Sequence, residues 1–131
     1  MLRFSLLACA RLAVTPILLM VTIAGARAEG DPDMGKRQFA PCSACHTVEE
    51  GGAAKLGPNL HDVFGRKAGT KADFAYSDAL KNSGITWDSD KINSWITKPA
   101  ALVPGTKMAF LGISNETVRA NIIAYLQQAT K

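Results

Sequence analysis

Residues 42–46 read Cys42-Ser43-Ala44-Cys45-His46, and no other stretch limits so sharply what the chain can fold into. Thiols three residues apart lie on one face of a helical turn, so both can bond a single planar ring. His46, at the fourth position, then projects beneath that ring. C-x-x-C-H is the attachment pattern of a c-type haem, with two thiols on the porphyrin vinyl groups and a neutral imidazole on iron. A thioredoxin-like dithiol would want a strand-to-helix setting, which this sequence lacks. A zinc site would want four ligands. Beyond residue 28 the soft or nitrogen ligands are Cys42, Cys45, His46 and the remote His61.

One histidine leaves a second axial position on iron. Met34, Met108 and His61 are the candidates beyond residue 28. Met34 falls in a helical stretch, where a methionine ordinarily fills core. His61 follows a Gly-Pro pair in a loop, where a histidine is ordinarily at the surface. Met108 sits in the loop Pro104-Gly105-Thr106-Lys107-Met108-Ala109-Phe110. A loop methionine is ordinarily exposed or packing, but the haem motif makes Met108 the favoured ligand. Thioether sulfur is soft and favours ferrous iron, so His/Met ligation raises the reduction potential and closes the iron to oxygen.

The chain has 131 residues, 15 of them Lys or Arg and 11 Asp or Glu. Arg3 and Arg11 precede an uncharged run at 12–26, and Ala26-Arg27-Ala28 follows. A basic start, a short apolar run and an A-x-A site describe a secretory signal peptide. A spanning helix wants about 18 apolar residues or more. Cleavage after Ala28 is expected, giving a signal peptide at 1–28 and one domain at 29–131; the rival is a retained membrane anchor. Cys9 lies within the leader and reads as a discarded hydrophobe. Without Arg3, Arg11 and Arg27, twelve basic residues face eleven acidic ones, a net charge of +1 against +4 for the whole chain. Nucleic-acid binding, which needs a concentrated basic face, loses its support. Export also puts the thiol pair in an oxidising compartment, where it must be used or oxidise.

Helix signals dominate the remainder, and no sustained strand alternation is found. Asp31-Pro32 reads as an N-cap and first helical residue. That helix should run toward Ala44 with Phe39 buried, and Pro41 should end or bend it. Five glycines (51, 52, 57, 65 and 69) and Pro58 mark 47–75 as irregular. A short helix is expected over 77–82, stopped by Gly84. Asp88 can cap a helix that ends before Pro99 and buries Ile92, Trp95 and Ile96. After a loop at 103–114, Ser114 or Asn115 caps a last helix striped by Val118, Ile122, Tyr125 and Leu126. The expectation is an all-α domain of four helices with long loops wrapped around one covalently bound haem. Such loops are unusual in a small domain unless they wrap something, and a large cofactor would thicken a thin core.

Further matches accompany the attachment motif: Gly57-Pro58-Asn59-Leu60-His61, Phe64-Gly65-Arg66-Lys67, Tyr76-Ser77-Asp78-Ala79, Gly84-Ile85-Thr86-Trp87 and Pro104-Gly105-Thr106-Lys107-Met108. In order and spacing the chain resembles class I cytochromes c, of the mitochondrial cytochrome c and bacterial cytochrome c2 type. The resemblance implies the small cytochrome c fold. It implies that Cys42 and Cys45 hold haem c through thioethers, and that His46 and Met108 ligate iron. By the same resemblance the Pro58 carbonyl accepts the other ring N–H of His46. Tyr76 and Trp87 would hydrogen-bond a buried propionate, with Arg66 countering its charge. Thr106 would support Met108, Phe110 would cover it, and Gly35 would let the first helix cross closely against Ile122 and Tyr125. Read without the resemblance, Tyr76, Trp87, Trp95 and Phe110 are core aromatics and Arg66 is a solvated loop charge.

The chain departs from the family at several points. Trp95 stands where the mitochondrial proteins usually carry a tyrosine near the methionine ligand, and Leu80 where they carry a short polar residue. Both changes bear on the potential and on the Met108 bond. Lys55 and Lys107 remain of the family's basic docking rim, but Ala100, Ala101 and Ser114 replace lysines that are common there. A weaker positive field should steer acidic partners less and reduce salt sensitivity.

The resemblance implies a monomeric, soluble, periplasmic electron carrier rather than an enzyme. Its transient partners would be a quinol–cytochrome c reductase and a terminal oxidase or photosynthetic reaction centre, with no nucleic acid. A dedicated acceptor for one periplasmic dehydrogenase is the second reading. A dihaem peroxidase would want two C-x-x-C-H motifs, and a gas sensor would want an open sixth position on iron.

Overall fold

The structure, a computed structural model, describes residues 29–131. The expected signal peptide at 1–28, with Cys9, lies outside the described residues. Helices are α1 (Pro32–Gln38), α2 (Ala40–Ser43), α3 (Asp78–Lys81), α4 (Ser89–Thr97), α5 (Pro99–Leu102) and α6 (Glu116–Ala129). No strand forms among the described residues. A single antiparallel bridge joins Lys67 to Thr86, flanked by Trp87 N–H to the Arg66 carbonyl (2.9 Å) and Ala68 N–H to the Ile85 carbonyl (2.8 Å).

Capping chemistry sets the helix starts. The Asp31 carboxylate accepts from the Asp33 and Met34 N–H groups, that of Asp88 from Lys91, and the Asn115 side chain from Val118. Each satisfies a donor that the first helical turn leaves without a partner. Asn115, rather than Ser114, is the cap of the last helix. The expected first helix comes as two pieces, because Phe39 closes α1 and Pro41 opens the next turn as one of its first residues. Pro99 likewise opens α5 as well as ending α4, since a proline costs nothing where the N–H has no helical acceptor. The first expected helix thus comes as two, and α5 adds a turn that the sequence did not announce, giving six helices among the described residues without a change of architecture.

The packing centres on α1 crossing α6. A Cβ at Gly35 would meet the Asn121 carbonyl and stand 2.8 Å from the Tyr125 Cβ, so glycine permits the close approach. Phe39 tilts against Tyr125 with ring centroids 5.3 Å apart. The buried Asn121 side chain accepts from the Asp31 N–H (2.8 Å) and donates to Gln38 Oε1 (3.2 Å), spanning both ends of α1. On α6, Ile122 is 1% exposed and Leu126 is buried beside it; truncating such an isoleucine to alanine costs about 2–5 kcal/mol. On α4, Ile92, Trp95 and Ile96 all face inward, as their helical spacing requires. Trp95 meets Trp87 edge-on at 5.4 Å. Around this cluster run two loop systems, 44–77 and 103–115.

Candidate haem site

The attachment segment forms a tight turn at the end of α2. Cys45 N–H donates to the Cys42 carbonyl (3.0 Å) and His46 N–H to the same oxygen (2.9 Å). Cys42 and Cys45 are free, half-buried thiols on that turn. Burial pushes the Cys42 thiol above its ordinary value, and the neighbouring Cys45 adds to the effect. The thiol pair therefore sits together in a partly desolvated position.

His46 is held from behind. Its Nδ1 lies 2.7 Å from the Pro58 carbonyl oxygen. A carbonyl can only accept, so the proton is on Nδ1 and Nε2 keeps a free lone pair. Burial lowers the imidazole's pKa; the Pro58 bond opposes this, and the charge of Lys55 adds to it. The neutral form that a metal requires is thus the favoured one. Gly57 lies flat on the ring: a Cβ there would meet Cε1 and stand 2.8 Å from each ring nitrogen. Paired thiols, a neutral imidazole with one open nitrogen, and a backbone cradle fit a c-type haem iron.

A residue that sequence reasoning missed builds this cradle. Asn59 is 1% exposed. Its Nδ2 donates to Thr47 Oγ1 (2.8 Å) and the Glu49 carbonyl (2.9 Å), while its Oδ1 accepts from the His61 N–H (2.9 Å). Three of its four side-chain hydrogen-bonding positions therefore pin the loop that presents Pro58. The block 57–61 marks the segment, but nothing local in it shows where the amide points.

Arg66 has work beyond countering a propionate. Its guanidinium donates to the His61 carbonyl (2.8 Å) and the Asn59 carbonyl (3.2 Å), bracing the same loop. It also acts electrostatically on Tyr76. Burial raises that phenol, and the Arg66 charge and the Lys71 backbone pull it back. The Arg66 charge thus bears on the Tyr76 phenol. Tyr76 packs edge-on against Phe74 at 4.9 Å. Trp87 is buried, its carbonyl accepting from Gly65 N–H (2.7 Å).

On the distal side, Thr106 Oγ1 accepts from the Met108 N–H (3.2 Å), and the Met108 carbonyl accepts from Phe110 N–H (3.0 Å). Met108 and Phe110 are half-buried. Met108 and Cys42, far apart in sequence, pack against the same buried cluster. Met34, the rival methionine, is at the surface, its sulfur accepting from Arg37 Nη2 at 2.6 Å. The His61 ring instead faces Asp62, with Nε2 3.5 Å from Oδ2 and Nδ1 buried without a partner.

Residues 32–130 match the sequence model of the family described as cytochrome c. The chain belongs to the cytochrome c family. It is 52% identical over 99 residues to a cytochrome c2 of Rhodoblastus acidophilus, covering 76% of this chain and 92% of that one. It is 50% identical over 97 residues to a cytochrome c-550 of Bradyrhizobium diazoefficiens, covering 74% and 71%. The solved structure of cytochrome cH from Methylobacterium extorquens is similar with a TM-score of 0.71 and 49% identity, over 76% of this chain and 99% of that one. These place the chain among the class I cytochromes c, in the small helical cytochrome c fold. Its cofactor is covalently attached haem c with its iron, and it is a monohaem electron carrier of a family whose cytochromes transfer electrons rather than act as enzymes.

Proposed function

We propose that the chain is a soluble periplasmic electron shuttle. In this reading Cys42 and Cys45 carry the thioether bonds, and His46 Nε2 and Met108 sulfur ligate the iron. The observation that carries it is the 2.7 Å bond between His46 Nδ1 and the Pro58 carbonyl, which fixes the tautomer and aims the other nitrogen. Bound haem c supplies a one-electron couple at iron. The protein's part is to keep that couple rigid and dry. Gly57 and Asn59 hold the imidazole in place, Thr106 orients Met108, and Phe110 covers that side. Tyr76, Trp87 and Arg66 would hold the propionate, the first two as donors and the third as a compensating charge. With both His46 and Met108 bound to it, the iron would have no place for oxygen or peroxide and would serve one-electron transfer alone.

Export supports the location, since the features of residues 1–28 describe a secretory leader. Among the described residues no helix is long and apolar enough to cross a membrane. The partners in this reading are a quinol–cytochrome c reductase and a terminal oxidase or reaction centre.

The test is an absorption spectrum of the holoprotein, oxidised and then reduced, from a host that matures c-type haem. A sharp low-spin reduced spectrum with the weak far-red ferric band of methionine sulfur is expected. A high-spin spectrum that shifts with carbon monoxide would remove Met108 as ligand and favour a sensor or peroxidase. N-terminal sequencing of the mature protein should begin at Glu29; retention of residues 12–26 would make it an anchored carrier.

A further inference from the structure

Arg119, on α6, is 8% exposed and takes no part in the cradle around His46. Its Nε donates to Asn93 Oδ1 on α4 (2.8 Å). Its Nη1 donates to two successive carbonyls, Ile113 and Ser114 (2.8 Å each). Those carbonyls end the loop that begins with Met108. A third tie, from Ile113 N–H to the Ile96 carbonyl (2.8 Å), docks the same point on α4. Between this anchor and Met108 the backbone is irregular, and Leu111 stands 96% exposed. The loop is therefore tied to the helices at its far end, by Arg119 at Ile113 and Ser114, while at Met108 the Thr106 bond shapes only a local turn.

We infer that Arg119 is a positioning residue for Met108, its planar fork setting how far the distal loop can move from α4. The inference rests on the proposed ligation by Met108. The physical reason is a contrast of strengths. A thioether is a neutral ligand, and an added nitrogen base would displace it if the loop moved aside. Charge-assisted hydrogen bonds from a buried guanidinium to backbone carbonyls are among the stronger restraints a loop can have. Lysine keeps the charge but cannot reach three acceptors in one plane.

The test uses ferric holoprotein and imidazole as the probe. Imidazole binding and the far-red methionine band are followed in wild type, Arg119→Lys, Asn93→Ala and Asn121→Ala. Asn121→Ala serves as the control, because it loosens α6 from α1 without touching the distal loop. Arg119→Lys should bind imidazole about tenfold more tightly than wild type, the effect of losing one charge-assisted hydrogen bond. Asn93→Ala, which frees the fork from α4 alone, should shift the same way by less. The control should lose urea stability with little change in imidazole affinity. Equal imidazole affinity in Arg119→Lys and the control would overturn the inference. Should Arg119→Lys fail to fold, Asn93→Ala against the control decides in the same way. A wild type without the far-red band overturns the Met108 reading and this inference together; a wild type with the band and no variant effect overturns this inference alone.

Discussion

His46 and Pro58 meet across twelve residues of irregular chain, with the ring Nδ1 2.7 Å from the proline carbonyl. A proline has no N–H to give, but its carbonyl is free to accept, and its ring stiffens the segment that carries that carbonyl. The loop between them is folded back by Gly57 N–H to the Cys45 carbonyl (2.9 Å) and Leu60 N–H to the Thr47 carbonyl (2.8 Å). Orientation of the imidazole is thus a property of the loop that follows and not of α2, which ends three residues before His46.

Gly57→Ala should therefore damage the site. Its methyl would press on the ring, and overpacking of this kind costs about 1–3 kcal/mol. Lower holoprotein yield and a reduced urea midpoint are expected. A variant with wild-type yield and midpoint would show that the ring can step aside.

Gly35→Ala tests the other close approach, between α1 and α6. The added methyl meets the Asn121 backbone, which cannot rotate away as a side chain could. A loss of about 1–3 kcal/mol is expected, seen as a lower melting temperature with an unchanged absorption spectrum. A changed far-red band would mean that this crossing also governs the distal loop.

Arg66→Lys keeps the charge near Tyr76 but loses the fork on the His61 and Asn59 carbonyls. About 1–3 kcal/mol of stability should go with it. If Arg66 acted only by compensating a propionate, lysine would restore the urea midpoint fully.

The Asp78 carboxyl sits below its ordinary value, first because Lys81 hydrogen-bonds it (2.7 Å) and then through the Lys81 charge. A folded value below the unfolded one adds stability above the unfolded pKa, and that stability is lost as pH falls through the folded pKa. Asp78→Asn should be less stable than wild type at neutral pH, and the gap should close in strong acid. A gap that stayed constant with pH would assign the effect to packing. The side chain is exposed, so the difference should also shrink with salt.

Electron transfer to purified oxidase should fall only modestly as salt is raised. Lys55 Nζ already donates to the Ser43 carbonyl (2.9 Å). Next to Lys55, and three residues beyond Met108, Leu56 and Leu111 stand exposed where a charge would help steering. A steep fall in rate between low and moderate ionic strength would show that the remaining lysines dominate docking.

Much of the fold is legible in the chain itself. Asp88, Asn115 and Asp31 announce helix starts because capping involves residues two or three positions apart. Ile92, Trp95 and Ile96 announce a buried face because helical periodicity is local. The broken first helix was readable only in part: Pro41 signals a disturbance, but whether it bends a helix or opens a new turn depends on how Phe39 seats against Tyr125. Asn59 and Arg119 were not readable as hubs at all. An asparagine in a loop and an arginine on a helix are ordinary surface residues until the fold buries them.

By itself, then, the sequence determined the attachment chemistry, the helical character and the family, since these reside in residue types at short, fixed spacings. Tertiary structure alone decided what Arg66 and Arg119 grip, where the Asn59 amide points, and which methionine is at the surface. The physical reason is the range of the interactions. Helical turns and caps are closed by near neighbours, whereas a buried amide or guanidinium is satisfied by carbonyls that only the folded loops bring within reach.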